Sequence, residues 1–263
     1  MGRSMTRALA LALALAMFTA VVAVAKPDHA TRLERFEAGN LVAIDHGGIT
    51  PETLPRHQQA AVTANLHAKL MTKDGTHLPA VDQMSINFDR TLQLNAKGLP
   101  SCSAGQLRAR STGAVKRICG GAIVGSGTGE VEVAFPEQAP FRATGPLVAF
   151  NGGVHGKATL LFIHTYIDVP APTAVVVEAR ITRIHSGHFG MNAEVQIPRI
   201  AGGAGSVTRF DLNLGRRFTY KGKPVSYITA SCPTGSYRVE GHLGFSDGTV
   251  IRITHLLPCT PVG

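Results

Sequence analysis

From Ala60 onward the hydrophobic pattern repeats every second residue. Met84, Ile86 and Phe88 alternate with Ser85 and Asn87, and Val131, Val133 and Phe135 alternate with Glu132 and Ala134. Phe189, Met191, Ala193, Val195 and Ile197 alternate with Gly190, Asn192, Glu194 and Gln196. Such a period turns one face to a core and the other to solvent, so each run predicts a half-buried β-strand. Ala158–Ile167 and Ala174–Ile184 are instead apolar on both faces and rich in β-branched residues. They read as central strands covered on both sides, with Pro170 and Pro172 forcing a turn between them. Near the C-terminus, Tyr237, Val239, Leu243 and Phe245 alternate up to Ser246-Asp247-Gly248-Thr249, and Val250, Ile251 and Ile253 return. Asp-Gly between two apolar alternations predicts a hairpin with a type I′ turn. Lys221-Gly222 predicts a second hairpin, between Phe218–Tyr220 and Val225–Ile228.

One stretch reads as helical. Ser103-Ala104-Gly105-Gln106 has the form of a capping box, which predicts a short helix near Ser103–Ala109. Residues 26–59 are weakly patterned, with Pro27, Gly39, Gly47, Gly48, Pro51 and Pro55 among scattered charges. They are expected to form a weakly ordered N-terminal arm, with one short helical turn near Arg32–Glu37. Strands recur about every 10–14 residues with turn residues between them, without strand–helix alternation or an exact repeat. The expected fold is therefore all-β: an antiparallel β-sandwich, or partly open barrel, of roughly eight to ten strands over residues 60–263.

Composition adds a location. Residues 1–25 read as a signal peptide: Arg3 and Arg7 make a basic start, Ala8–Ala25 is uncharged, and Ala23-Val24-Ala25 is a small–x–small cleavage pattern. A retained anchor is the alternative, but eighteen apolar residues are at the short end for a bilayer span. Cleavage leaves Lys26 first and no transmembrane segment, so the mature protein is expected to be secreted or associated with the cell envelope. The chain is 44% hydrophobic and 16% charged, too apolar and too weakly charged for a disordered one. The cysteines are Cys102, Cys119, Cys232 and Cys259, an even set in an exported chain, which points to disulfides. Of three connectivities, the sequence-local one, Cys102–Cys119 and Cys232–Cys259, closes loops of roughly 18 and 28 residues, each contributing about 3 kcal/mol. Zinc modules use closer cysteine pairs than any here.

Several short patterns occur in a fixed order. Gly98-Leu99-Pro100-x-Cys102 precedes Cys119-x-x-Ala122-x-Val124-Gly125-Ser126-Gly127, then Phe150-Asn151-Gly152 and Ile197-Pro198. Tyr220-Lys221-Gly222-Lys223, Cys232-Pro233-x-Gly235 and Phe245-Ser246-Asp247-Gly248-Thr249 follow before Cys259. Over about residues 80–260 this set resembles an uncharacterised family of secreted, disulfide-bonded all-β proteins common in actinobacteria. The resemblance implies an extracellular, disulfide-bonded protein and supplies no activity, cofactor or catalytic residue. The chain departs from it in its histidines, especially His164, His185 and His188, and in the arm before Ala60.

Each candidate chemistry has a plainer competitor. Gly120–Gly129 has the look of a phosphate cradle, but a β pattern and Glu130 follow where a helix start would be needed, so a glycine-rich strand edge or bulge is the better reading. A G-x-S-x-G elbow is absent, while a Ser–His–acid triad assembled in space stays open. His185 and His188 at a turn could join His164 as metal ligands, or be two solvated histidines and one core histidine bonded to backbone. Glu130 and Glu132 share one strand face, which suits a solvated surface better than a glycosidase pair. No cofactor is expected. Removing Arg3 and Arg7 leaves 24 basic and 17 acidic residues, a mature charge of +7. This reads either as ordinary surface usage or as attraction to an anionic envelope polymer or lipid surface. Nucleic acid is disfavoured because no dense Lys/Arg run occurs and Trp is absent. Basic clusters occur at Arg108-x-Arg110 with Lys116-Arg117, and at Arg216-Arg217 with Lys221 and Lys223, the second being the candidate anion-binding surface. The expected role is non-catalytic, an extracellular or envelope-associated binding or structural module. The alternative is an extracellular hydrolase with a site assembled across loops.

Overall fold

The structure, a computed structural model, describes residues 33–168 and 171–263. The expected signal peptide, the cleavage site and Pro170 lie outside the described residues. The chain begins with β1 (Glu34–Ala38), β2 (Leu41–Thr50), β3 (Thr53–Pro55), β4 (Ala60–Ala61), β5 (Thr63–Thr72), β6 (Val81–Asp89) and β7 (Leu92–Leu94). Two helices follow, α1 (Ala104–Leu107) and α2 (Thr112–Cys119). Then come β8 (Ile123–Val133), β9 (Phe141–His155), β10 (Ala158–Ile167), β11 (Thr173–Ser186), β12 (Phe189–Gln196) and β13 (Gly205–Leu214). The chain ends with β14 (Arg217–Tyr220), β15 (Lys223–Ser226), β16 (Ile228–Ala230), β17 (Ser236–Phe245), β18 (Val250–Pro258) and β19 (Thr260–Val262).

The fold is all-β, as the alternation predicts. Twelve strands form one antiparallel sheet in the order β1-β2-β5-β13-β8-β9-β10-β11-β12-β6-β17-β18. Its two ends return to one another, with β18 lying beside β1 and β2, so the sheet is a nearly closed barrel. Leu147, Leu161, Ala179, Val195 and Leu212 point inward from five strands of the sheet and share a core with Leu54, Tyr227 and Ile228. The last three belong to or adjoin the small sheets β3–β19 and β4–β16–β7, which thus plug one end of the barrel. Outward positions carry exposed Lys69, Arg142, Glu194, Arg209 and Arg252. An apolar interior with charge outside is the reverse of a lipid-facing barrel. No helix among the described residues is long and apolar enough to cross a membrane.

β10 is covered on both faces, as its composition predicts. The inner face joins the barrel core, and Val148, Phe150, Leu160 and Phe162 on the outer face of β9 and β10 pack under Leu107, Val115 and the Cys102–Cys119 bridge. α1 lies where the capping box places it, with the Ser103 N–H donating to Gln106 Oε1 at 2.9 Å. α2 was not foreseen. Ser111 starts it by accepting from the Ala114 N–H, and its Val115 and Cys119 are buried one turn apart. Both sequence-local disulfides are formed, with Cα–Cα distances of 5.7 Å for Cys102–Cys119 and 6.1 Å for Cys232–Cys259.

Residues 60–263 contribute ten strands to the main sheet, within the expected number, and β1 and β2 add two from the supposed arm. Short pairings such as β3–β19 and β4–β16 leave no periodic trace in two or three residues. Two expectations need correction. The supposed arm is structured from Glu34: β1 replaces the helical turn, and Leu41, Val42 and Ala43 of β2 are buried. Its pattern was hidden because Glu34 and Asp45 occupy inward-facing register positions, where an apolar residue is expected. The Asp247-Gly248 hairpin forms, but only Gly248 has positive φ (+84°). Its N–H bonds to Phe245 O, giving a three-residue loop ending in a left-handed glycine instead of a type I′ turn. The type I′ requirement is met by the other hairpin, at Lys221 (φ 51°) and Gly222 (φ 75°).

Candidate functional site

The register of the strands gives the barrel two unlike ends. At one, the strands are joined by hairpin loops such as 39–40, 134–140 and 246–249. At the other lie the long excursions 90–122 and 215–235, which hold the helices, β7, β16, the β14–β15 hairpin and three of the four cysteines. Residues 90–122 contain six Lys or Arg and no Asp or Glu, and residues 215–235 contain four and none. The excess positive charge of the chain is therefore concentrated at this capped end, where nothing acidic within either excursion offsets it. Arg108, Arg110, Lys116 and Arg117, the other basic cluster, are all exposed there.

The β14–β15 hairpin presents Arg217, Lys221 and Lys223 as exposed residues. Tyr220 anchors it. A Cβ added at Gly98 would fall 2.1 Å from Tyr220 Cδ2, so the ring lies directly on that glycine and brings exposed Lys97 beside the hairpin. Lys221 Nζ stands 5.8 Å from the Tyr220 ring centroid, at the outer range of a cation–π contact. None of Arg217, Lys221 or Lys223 has a carboxylate partner among the described residues.

Arg216 behaves differently from the free surface charge expected of it. It is half-buried, and Nη1 donates to Gly121 O at 2.6 Å and Ile123 O at 2.8 Å, with Gly120 O at 3.5 Å. It closes the carbonyl end of the 3-10 turn that follows α2, a common use of a cation at a helix C-terminus. The guanidinium is fixed in place, and its positive charge meets only carbonyl dipoles there. Beside it opens a cavity of about 310 Å³, lined by Thr50, Thr63, Gly215, Arg216, Arg217 and Ser226, with Ala61 and Val62 as its apolar wall. Sequence reasoning found the two arginines through their adjacency. It missed the three hydroxyl residues, which come from β2, β5 and β15 and carry no local signal.

The three candidate histidines do not assemble. His164 is fully buried on β10, where Nε2 donates to Arg110 O at 3.0 Å. Burial lowers its pKa, only partly opposed by that backbone bond, so it is a neutral core histidine tying the α1–α2 linker to the barrel. His185 and His188 are exposed at the tip of the β11–β12 hairpin. His164 pairs with Val176, nine residues along β11 from His185, which at strand rise is about 30 Å. Among the described residues, no group of three or more His, Cys, Asp or Glu is arranged to hold a metal ion. Within Gly120–Gly129, Gly125 and Gly127 serve strand packing. A Cβ at Gly127 would fall 1.8 Å from Asp211 O, and one at Gly125 2.4 Å from Asn213 O, so β8 and β13 approach more closely than side chains allow.

One Ser–His–acid row does form, joining Glu132 to His77 and Ser206, which the sequence did not single out. His77 Nδ1 lies 2.9 Å from Glu132 Oε1, and its Nε2 lies 3.3 Å from Ser206 Oγ. The order matches a nucleophile, base and orienting acid. The Ser206 hydroxyl, however, donates to Leu78 O in a closer contact, and Ser206 is 1% exposed. In this arrangement its proton is committed and its oxygen is covered. Glu130 and Glu132 lie on the outer face of β8, both within 3.6 Å of Arg142, as a paired surface cluster.

Comparison with protein-family models, with curated proteins and with solved structures finds no match to this chain.

Proposed function

We propose that the protein is a secreted, non-catalytic binding module that holds an anionic polymer of the cell envelope against the capped end of its barrel. The observation that carries this reading is the run of ten basic and no acidic residues in excursions 90–122 and 215–235. Like charges gathered on one end raise a positive potential that unpaired lysines and arginines elsewhere do not. Arg217, Lys221 and Lys223 on the anchored hairpin are its most accessible part. The expected export signal, the two disulfides and the resemblance to secreted all-β proteins support a location outside the cytoplasm.

The test is a pull-down with isolated cell-wall polymer and with anionic vesicles at rising salt. Polymer capture should be strong at low salt and fade by about 1 M, where the Debye length falls to about 3 Å. Salt-independent capture, or none at low salt, overturns the reading, and capture by vesicles alone reassigns the end to a lipid surface. The His77–Glu132–Ser206 row is the specific observation favouring a hydrolase. That reading predicts turnover of an ester or peptide which Ser206→Ala abolishes without lowering the melting temperature.

A further inference from the structure

We propose that the cavity at the foot of the β14–β15 hairpin is a specific site for one oxyanion-bearing polyol unit, a phosphate or carboxylate on a small hydroxylated carbon chain. The inference rests on the polymer-binding reading and adds where a single repeat of the chain would seat.

The hydrogen-bond inventory of the wall supports this. Arg216 and Arg217 are both among the residues that line the cavity, and no Asp or Glu is. Arg216 spends Nη1 on main-chain carbonyls, which leaves Nε and Nη2 without partners among the described residues. Arg217 has none at all among them. Thr50 Oγ1 accepts from Asn65 Nδ2 at 3.0 Å, so its own O–H remains to be donated. Thr63 Oγ1 makes no hydrogen bond among the described residues. Ser226 Oγ donates to Ile228 O at 2.9 Å, which leaves its lone pairs to accept a ligand hydroxyl. The lining residues thus combine two permanently cationic side chains with hydroxyls that can both donate and accept. Planar guanidinium forks match the oxygens of a phosphate or carboxylate, and hydroxyls on both sides suit a polyol.

Size and position narrow the ligand. At about 310 Å³ the cavity is at the lower limit for small-molecule sites, so it takes one unit of a chain. Arg217 lies both on the cavity wall and on the exposed hairpin that carries Lys221 and Lys223. A unit seated in the cavity would pass its neighbours' anionic groups directly onto those lysines. Arg216 is already oriented by three carbonyls, so little side-chain freedom is lost on binding.

The experiment titrates the whole mature protein with sn-glycerol 3-phosphate, glucuronate, inorganic phosphate and neutral glycerol, read by amide NMR shifts at low salt. Expected are saturable shifts at Thr50, Thr63, Gly215, Arg217 and Ser226 with the first two probes, weaker ones with phosphate, and none with glycerol. Arg217→Gln, at an exposed position where folding is not at stake, should weaken glycerol phosphate about tenfold, which corresponds to about 1.4 kcal/mol. Thr63→Val should weaken it as well, with thermal unfolding confirming an intact fold. If no probe shifts these residues while the polymer is still captured, the cavity is not a site and the basic end stands alone. If the polymer is not captured either, both proposals fail. Inorganic phosphate binding as tightly as glycerol phosphate overturns the polyol part.

Discussion

Single residues decide how closely the strands of this barrel approach, and the glycines of β8 show it most sharply. The sequence GGAIVGSGTG has the look of a nucleotide loop until its partner strand is known. Gly127 then proves to sit where the carbonyl of Asp211 leaves no room for a Cβ. The obstacle is backbone, which cannot rotate away as a side chain would. Gly127→Ala must therefore push β8 from β13 and strain their ladder, at a cost of at least about 1–3 kcal/mol, as in other overpacked sites. Chemical denaturation should show the midpoint falling with an unchanged slope. A midpoint equal to the parent's would mean that the sheet yields there without penalty. The absence of a helix after Gly129 was legible in the sequence and argued against a phosphate cradle. The reason for the glycines was not, because Asp211 is remote in the chain and no local pattern announces a cross-strand neighbour.

At the scale of elements, the closing seam of the barrel explains both a missed strand and a pH dependence. β1 and β2 were unreadable because Glu34 and Asp45 break the apolar alternation, and the residue that compensates them, His255, lies on β18. Alternation reveals a strand only when its core face is apolar, so strands with a buried ionic contact stay hidden, whereas β12 and β17 were plain. His255 Nδ1 is 3.2 Å from Glu34 Oε2 and Nε2 is 3.1 Å from Asp45 Oδ1, the latter an ionic contact without an aligned hydrogen bond. The Phe36 ring meets the imidazole edge-on at 5.3 Å. Burial opposes a charge on His255, but the Asp45 and Glu34 carboxylates outweigh it and hold its pKa above the ordinary histidine value. The folded state thus keeps a proton that the unfolded chain releases. The resulting stability is complete below about pH 6.5 and is lost as pH rises through the folded value. His164 has the opposite sign. Its lowered pKa means that, as pH falls below about 6.5, the unfolded chain takes up the proton first and the fold weakens. Melting temperature should accordingly decline on both sides of a maximum. His255→Gln should lower the maximum and flatten the alkaline limb while the acid limb persists. An alkaline limb unchanged in that variant would show that the seam does not hold its proton.

For the whole molecule, what matters is that charge is distributed by end. The all-β class, the two disulfides, the helix at Ser103 and the clustering of Arg216, Arg217, Lys221 and Lys223 were all readable along the chain. That the helix-bearing excursion and the hairpin lie at one end was not, because only the barrel register brings residues 90–122 and 215–235 together. A net charge of +9 on the full chain fits a module steered by bulk charge as well as one with a local site. The two make different predictions. Lys69, Arg199 and Arg252 are exposed, lie outside both capped-end excursions and have no carboxylate partner among the described residues. Reversing these three to Glu changes the net charge by the same amount as reversing Arg217, Lys221 and Lys223. If the capped end is the interface, the second triple variant should lose most polymer capture at low salt, by about tenfold or more, since its charges act at short range on one contact. The first should lose only the modest steering that net charge provides, a few-fold at most. Both triples change exposed side chains, so similar melting temperatures are expected and any difference in capture reads out binding. Equal losses would mean that net charge alone drives association. A greater loss in the Lys69, Arg199 and Arg252 variant would move the interface off the capped end altogether.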